Sequence, residues 1–212
     1  MRMPRIASAT CPVCGSGGAY RYVEKSFRNI RSTWFRCGKD GTLFISPLPA
    51  PRELTGYYGK NYIDRKCPGS VSHHFRFTAE NKGMIFREYA LSLSDVGISF
   101  EMLRKRKILD YGCANGFFLD FCFSKGCRKQ DLYGHDIAED LLREVEKKRY
   151  RLLGEEKDFF DYLFLWDVLE HVTEPRALLR RLRMCLKPGG IIVVQTPRVG
   201  ILSEALRENW EH

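Results

Sequence analysis

The run Ile108-Leu109-Asp110-Tyr111-Gly112-Cys113-Ala114-Asn115-Gly116-Phe117-Phe118 constrains this chain more than any other. Two apolar residues lead to an acid, a glycine-bearing turn follows, and an apolar segment continues to Phe123. That order spells a buried strand, a tight loop and a helix N-terminus, the corner at which α/β folds meet a nucleotide. A dinucleotide loop wants glycine in the third slot of Gly-x-Gly-x-x-Gly. This chain has Phe117 there, too large for close approach to a pyrophosphate. A second acid, Asp136, closes the run Leu132-Tyr133-Gly134-His135, twenty residues after Gly116. At that spacing an acid ending the second strand reaches ribose hydroxyls, and a carboxylate there disfavours a 2′-phosphorylated ribose.

The flanking sequence alternates helix and strand in step with this corner. Upstream, Met84, Ile85, Tyr89, Ala90 and Leu93 keep a helical period from about Thr78 to Leu93, a helix expected to lie against the first strand. Downstream, the apolar helix from Phe117 ends at Gly126, and a charged helix, Glu139 to Arg149, turns Leu141, Leu142 and Val145 inward. Residues 150–161 leave room for a third strand of about four residues. Tyr162 to Trp166 reads as strand four, and Thr173 with Pro175 opens a helix whose inner face is Leu178, Leu182, Cys185 and Leu186. Lys187-Pro188-Gly189-Gly190 is expected to end that helix, and Ile191 to Val194 to form a buried strand closed by Gln195-Thr196-Pro197.

The spacing Asp-x-Gly-x-Ala-x-Gly from Asp110 to Gly116 resembles the first motif of class I S-adenosylmethionine (SAM) methyltransferases, with Ala114 where that family usually has glycine. Asp167-Val168-Leu169-Glu170-His171-Val172 resembles the post-strand-four motif of the ubiquinone-biosynthesis O-methyltransferases and of many sugar methyltransferases. The Leu-Lys-Pro-Gly-Gly turn and the Thr-Pro pair match in the same order, so the resemblance covers residues 108–197. It implies an α/β, Rossmann-like doubly wound sheet and SAM as cofactor. By the same resemblance Asp110 holds the methionine amino group, Gly112, Ala114 and Gly116 pass beneath the cofactor, and Asp136 takes the ribose. Tyr111, Asn115, Ile137 and Trp166 complete the implied contacts, and Glu155 or Glu156 is the acid near the adenine. His171 is the candidate catalytic base; its other reading is a helix-start residue that shapes the loop. The family fold continues into strands six and seven, whereas fifteen residues follow Pro197, with a short helix expected around Leu202 to Asn209. The expected core therefore lacks those two strands and leaves an open edge at Ile191 to Val194 that favours self-association.

The N-terminal stretch is of another kind. Cys11-Pro12-Val13-Cys14-Gly15 and Cys37-Gly38-Lys39-Asp40-Gly41 flank a β-like insert with alternating Tyr20 and Tyr22. Two such knuckles around a hairpin describe a zinc ribbon, with Cys11, Cys14, Cys37 and Asp40 as ligands and Asp40 standing where a fourth cysteine would complete the set. Cys67, His73 and His74 are the other possible fourth ligands, and a metal-free ribbon held by its aromatics is the alternative. Proline-rich Leu43 to Pro51 marks a boundary, so the expected organisation is a ribbon-like module at 1–50, a linker and helical lead-in at 51–103, and the SAM-binding core at 104–212. Tyr57, Tyr58 and Tyr62 are expected to cover the edge of that core, with lining a pocket as the other reading.

Charge sharpens the contrast between the two parts. Ten Lys+Arg against three Asp+Glu place +7 of the total +9 within residues 1–60. A basic front end suits a polyanionic partner such as a nucleotide-sugar, a phosphorylated lipid carrier or nucleic acid. No apolar run approaches a membrane span or a signal peptide, and eight cysteines without an export signal point to reduced thiols or metal and to the cytoplasm. By analogy with ribbon-bearing relatives, the acceptor class is a small molecule: a sugar, nucleotide-sugar or cell-envelope glycan precursor. The rival reading is a catalytically impaired protein of the same fold whose basic ribbon engages nucleic acid or a protein partner.

Overall fold

The computed structural model describes residues 9–27, 30–47, 81–198 and 200. They fall into two compact units, one built on antiparallel strands and one on a parallel sheet. In the first, β1 (Ala19–Phe27), β2 (Ile30–Cys37) and β3 (Leu43–Ile45) pair in that order. Alternation along β2 sends Phe35 and Cys37 inward, where Phe35 stacks on Phe44 of β3 at 6.0 Å. Ala9, Cys11 and Ala19 join them in a small core among the described residues, of the kind that small modules supplement with a metal or disulfide.

The second unit is a five-stranded sheet of order β6-β5-β4-β7-β8, parallel at every pairing. Its strands are β4 (Ile108–Tyr111), β5 (Leu132–His135), β6 (Arg151–Leu152), β7 (Phe160–Trp166) and β8 (Leu186–Gln195). Central β4 is buried at all four positions, as continuous apolar strands covered on both faces must be. The chain order makes β4 the switch point, with β5 leaving to one side and β7 to the other, and ligands of such sheets bind at the carboxyl ends beside that point. The helices are α1 (Lys82–Asp95), α2 (Phe100–Leu103), α3 (Phe117–Ser124), α4 (Glu139–Lys147) and α5 (Pro175–Cys185).

Three expectations need correction. The lead-in helix α1 meets the sheet with α3 between much of it and the first strand, through Phe86 on Phe121 at 5.3 Å and Tyr89 on Phe118 at 5.0 Å, while its Leu93 shares the core with Ile108. Helix α3 buries Phe117, Phe118, Leu119, Phe121 and Cys122, so it is apolar on more faces than the sheet can cover. The third strand, β6, has only two residues. Finally, β8 starts at Leu186 and takes in the Pro-Gly-Gly turn. Pairing with β7 jumps from Phe160↔Leu186 to Tyr162↔Ile191, so residues 187–190 bulge opposite Asp161. Lys187 fastens that bulge by donating from Nζ to Asp161 Oδ2 at 2.9 Å. Among the described residues β8 is an edge strand, with Ile191 and Val194 exposed. The suggested helix at Leu202 to Asn209, Tyr57, Tyr58, Tyr62, Cys67, His73 and His74 lie outside the described residues.

Candidate functional site

Strand β4 delivers Asp110 and Tyr111 to the carboxyl edge, and the chain turns sharply behind them. Gly112 has φ +84°, and a Cβ built there would stand 2.4 Å from Val168 Cγ2, so glycine is demanded twice over. The amides of Gly112 and Cys113 both donate to the His135 carbonyl, at 2.7 and 2.9 Å, tying the loop to the end of β5. Ala114 also lies in left-handed space, at φ 45°, which gives a physical reason for glycine at that position in related loops. Gly116, at φ 79°, begins α3.

Asp136 is the keystone of the loop. Its Oδ2 accepts the Ala114 amide at 2.9 Å and its Oδ1 the Ala138 amide at 3.0 Å. One carboxylate thus bridges the loop after β4 and the turn after β5, with lone pairs left on both oxygens for hydroxyl donors. Sequence spacing points to a ribose role for Asp136 and gives no hint of this bracing.

Asp110 is 2% exposed, and its Oδ1 is buried without a hydrogen-bond partner among the described residues. Burial first, and the Asp136 carboxylate second, hold its carboxyl well above the usual carboxylate range. The indole N–H of Trp166, at the end of β7, is likewise buried and unpartnered. Trp166 lies 5.0 Å from Phe118 and 5.2 Å from Tyr89 between ring centroids. Tyr89 is a further candidate beside Asp110 that the motifs do not mark. Helical period marks it only as core, yet it stands near enough to Asp110 for that carboxylate to raise its hydroxyl pKa, after burial. Tyr111 turns elsewhere: its ring lies 4.4 Å from His135 and its hydroxyl accepts from Arg181 of α5. Asn115 contributes its carbonyl to Lys148 Nζ at 2.7 Å, and Ile137 is 67% exposed. Glu156 is occupied locally, accepting the Gly154 amide at 2.6 Å, and Glu155 is exposed.

Beyond β7 lies a polar ledge. The Asp167 amide donates to the Gln195 carbonyl at 3.0 Å, and Ser92 Oγ donates to Gln195 Oε1 at 2.9 Å. Thr196 Oγ1 donates to Glu170 Oε2 at 3.3 Å. Burial raises the carboxyl pKa values of Asp167 and Glu170. Burial also lowers His171 below its ordinary value, with Asp167 opposing, so neutral imidazole is the favoured form at pH 7; the side chain is 47% exposed, its Nε2 4.0 Å from Glu170 Oε1.

The N-terminal unit brings its four candidates together: one ligand atom from each of Cys11, Cys14, Cys37 and Asp40 lies within 4.8 Å of all the others. Cys14 Sγ is 3.5 Å from Cys37 Sγ, and Cys11 Sγ is 3.7 Å from Asp40 Oδ2. A tetrahedral zinc with Zn–S of about 2.3 Å requires S···S edges of about 3.8 Å, so the donor set fits that ion. The two knuckles repeat each other. Cys11 N donates to Ser16 O and Gly15 N to Cys11 O; Cys37 N donates to Thr42 O and Gly41 N to Cys37 O. Asp40 therefore occupies the backbone position of Cys14. The Thr42 amide, donating at 2.9 Å, is the leading cause that holds the Asp40 carboxyl below its usual range. The Ser16 backbone hydrogen bond lowers the Cys14 thiol, yet burial and the neighbouring Asp40, Cys37 and Cys11 push it up to about 12, a repulsion that a cation would relieve. All seven described cysteines are free thiols.

A parallel sheet with a glycine loop at its switch point, a buried acid beside it and a second acid on the next strand defines a nucleotide-cofactor α/β protein. Comparison narrows the class: a family model described as a methyltransferase domain matches residues 73–212, and the chain belongs to that family. It is 30% identical over 107 residues to a tRNA U34 carboxymethyltransferase of Trichodesmium erythraeum, covering 43% of this chain and 32% of that protein. It is 29% identical over 108 residues to a ubiquinone biosynthesis O-methyltransferase of Bordetella avium, covering 44% of each. The match spans less than half the length of either relative. Among solved structures, a SAM-dependent methyltransferase from Mesorhizobium loti aligns with TM-score 0.44 and 22% identity over 51% of this chain and 52% of that one. Among the described residues, no helix is long and apolar enough to cross a membrane.

Proposed function

We propose that the protein is a SAM-dependent methyltransferase acting on a small hydroxylated acceptor of the sugar, nucleotide-sugar or glycan-precursor class. The observation that carries the cofactor reading is the buried Asp110 carboxyl on the central strand, whose Oδ1 has no hydrogen-bond partner among the described residues. A buried acid with no partner costs several kcal/mol unless a ligand cation meets it, and an amino-acid ammonium is such a cation. In this reading Asp110 receives the methionine amino group and Asp136 the ribose hydroxyls, while Gly112, Ala114 and Gly116 supply the loop. Tyr111, Asn115, Ile137 and Trp166 flank it. Bound there, SAM supplies an electrophilic methyl group for direct displacement.

The chain's own task is alignment and proton handling. Neutral His171 accepts the proton of the acceptor hydroxyl, and Asp167 and Glu170 beside it accept hydrogen bonds from further hydroxyls. That acceptor-rich ledge supports a polyhydroxyl substrate. The curated relatives are named for tRNA and for ubiquinone biosynthesis, so their acceptors differ from one another as well. In the N-terminal unit, Cys11, Cys14, Cys37 and Asp40 hold a structural Zn2+ that supplements a sparse core. Calorimetric titration of SAM into the full chain tests the cofactor reading. Saturable one-to-one binding, weakened in Asp136→Ala, is expected; an absence of binding heat would end it.

A further inference from the structure

Among the described residues two carboxylates are buried, Asp110 on β4 and Asp131 in the turn before β5, and they are treated differently. Asp131 is 1% exposed, but Lys107 Nζ stands 2.8 Å from its Oδ1 and Arg128 Nε 2.5 Å from its Oδ2. Burial raises Asp131, and these two cations outweigh it, so its pKa stays low. Asp110 is buried as deeply, and no cation partners it among the described residues. The titratable groups that face it from the surrounding elements are Asp136 after β5, Tyr89 of α1, Cys113 of the loop and Cys122 of α3. None of these can become positive. Among the described residues, Asp110 is thus a deep acid with no countercharge, whereas Asp131 has two.

We infer that SAM binding expels a proton from Asp110, so that occupation of the cofactor site is linked to pH. The inference rests on the cofactor reading above and adds what the site does on filling. In the unligated protein Asp110 keeps its carboxyl O–H. When the ammonium arrives that bond breaks, the proton leaves to solvent, and the carboxylate accepts the ammonium N–H groups. The sign follows from linkage: the unligated carboxyl is raised and the ligated one lowered, so protons compete with the cofactor. Affinity is full above the unligated pKa and weakens as pH falls through it, by up to about tenfold per pH unit.

Titration calorimetry of SAM in two buffers of different ionisation enthalpy, repeated between about pH 5 and pH 8, reads the effect directly. Release approaching one proton per site at the acid end, with affinity falling there, is expected in the wild type and lost in Asp110→Asn. Binding heats independent of buffer, with affinity flat across that range, would overturn the inference while leaving cofactor binding intact. Failure of SAM to bind in any buffer would instead sink the cofactor reading beneath it. Because Asp110→Asn could bind too weakly to measure, infrared difference spectroscopy supplies a second readout. The unligated wild type should show a protonated-carboxyl carbonyl band that the variant lacks and that SAM abolishes; absence of that band in the unligated wild type would refute the inference by itself.

Discussion

Gly112→Ala isolates what the cofactor corner demands of its backbone. At φ +84° an alanine sits in left-handed space, which costs about 1–2 kcal/mol. Its Cβ would also stand 2.4 Å from Val168 Cγ2, below any real contact distance, and relieving such overpacking costs about 1–3 kcal/mol. The sum is roughly 2–5 kcal/mol of the second unit's stability. Val168→Ala removes the colliding methyl but cannot change φ. The double variant should therefore recover the steric part and keep the conformational part, a coupling of about 1–3 kcal/mol in a double-mutant cycle. Urea unfolding of the full chain, followed by helical circular dichroism with m compared among variants, measures each corner. Gly112→Ala within about 0.5 kcal/mol of wild type would show that this turn is neither strained nor tightly packed, and strict additivity with Val168→Ala would refute the steric part alone.

Asp136→Ala should weaken SAM by about 2–4 kcal/mol and also lower stability, because two backbone amides lose a charged acceptor. Titration and urea unfolding on the same variant separate the two losses, and unchanged unfolding would contradict the bracing role. Elemental analysis should find close to one zinc per chain, released in Cys11→Ser and held more firmly against a chelator in Asp40→Cys; a folded, metal-free wild type would dismiss the ribbon site. His171 is depressed below its ordinary value, so its base form persists as pH falls and kcat/KM should decline only at pH below about 6.5. Asp167→Asn, which removes the charge opposing that depression, should move the decline to still lower pH, and an unmoved limb would assign it to another group.

The nucleotide-facing corner, Asp136 and the four clustered knuckle residues were legible in the sequence because each is encoded locally. A strand-turn-helix needs its glycines in fixed order, the acid on the next strand falls at a chain distance set by one helix, and two Cys-x-x-[Cys/Asp] knuckles fix their own backbone turns. What the sequence could not carry was partnership. Tyr89 reads as one more apolar helix position until α1 is laid on α3 and the ring meets Phe118 and Trp166. The Lys-Pro-Gly-Gly turn reads as a helix stop until pairing with β7 shows it as a bulge inside β8. Asp110 and Asp131 look alike in one dimension; only the tertiary structure brings Lys107 and Arg128 to Asp131 and, among the described residues, no cation to Asp110. Local order determines which backbone corner forms, whereas the charge state of a buried group depends on neighbours that chain distance does not specify.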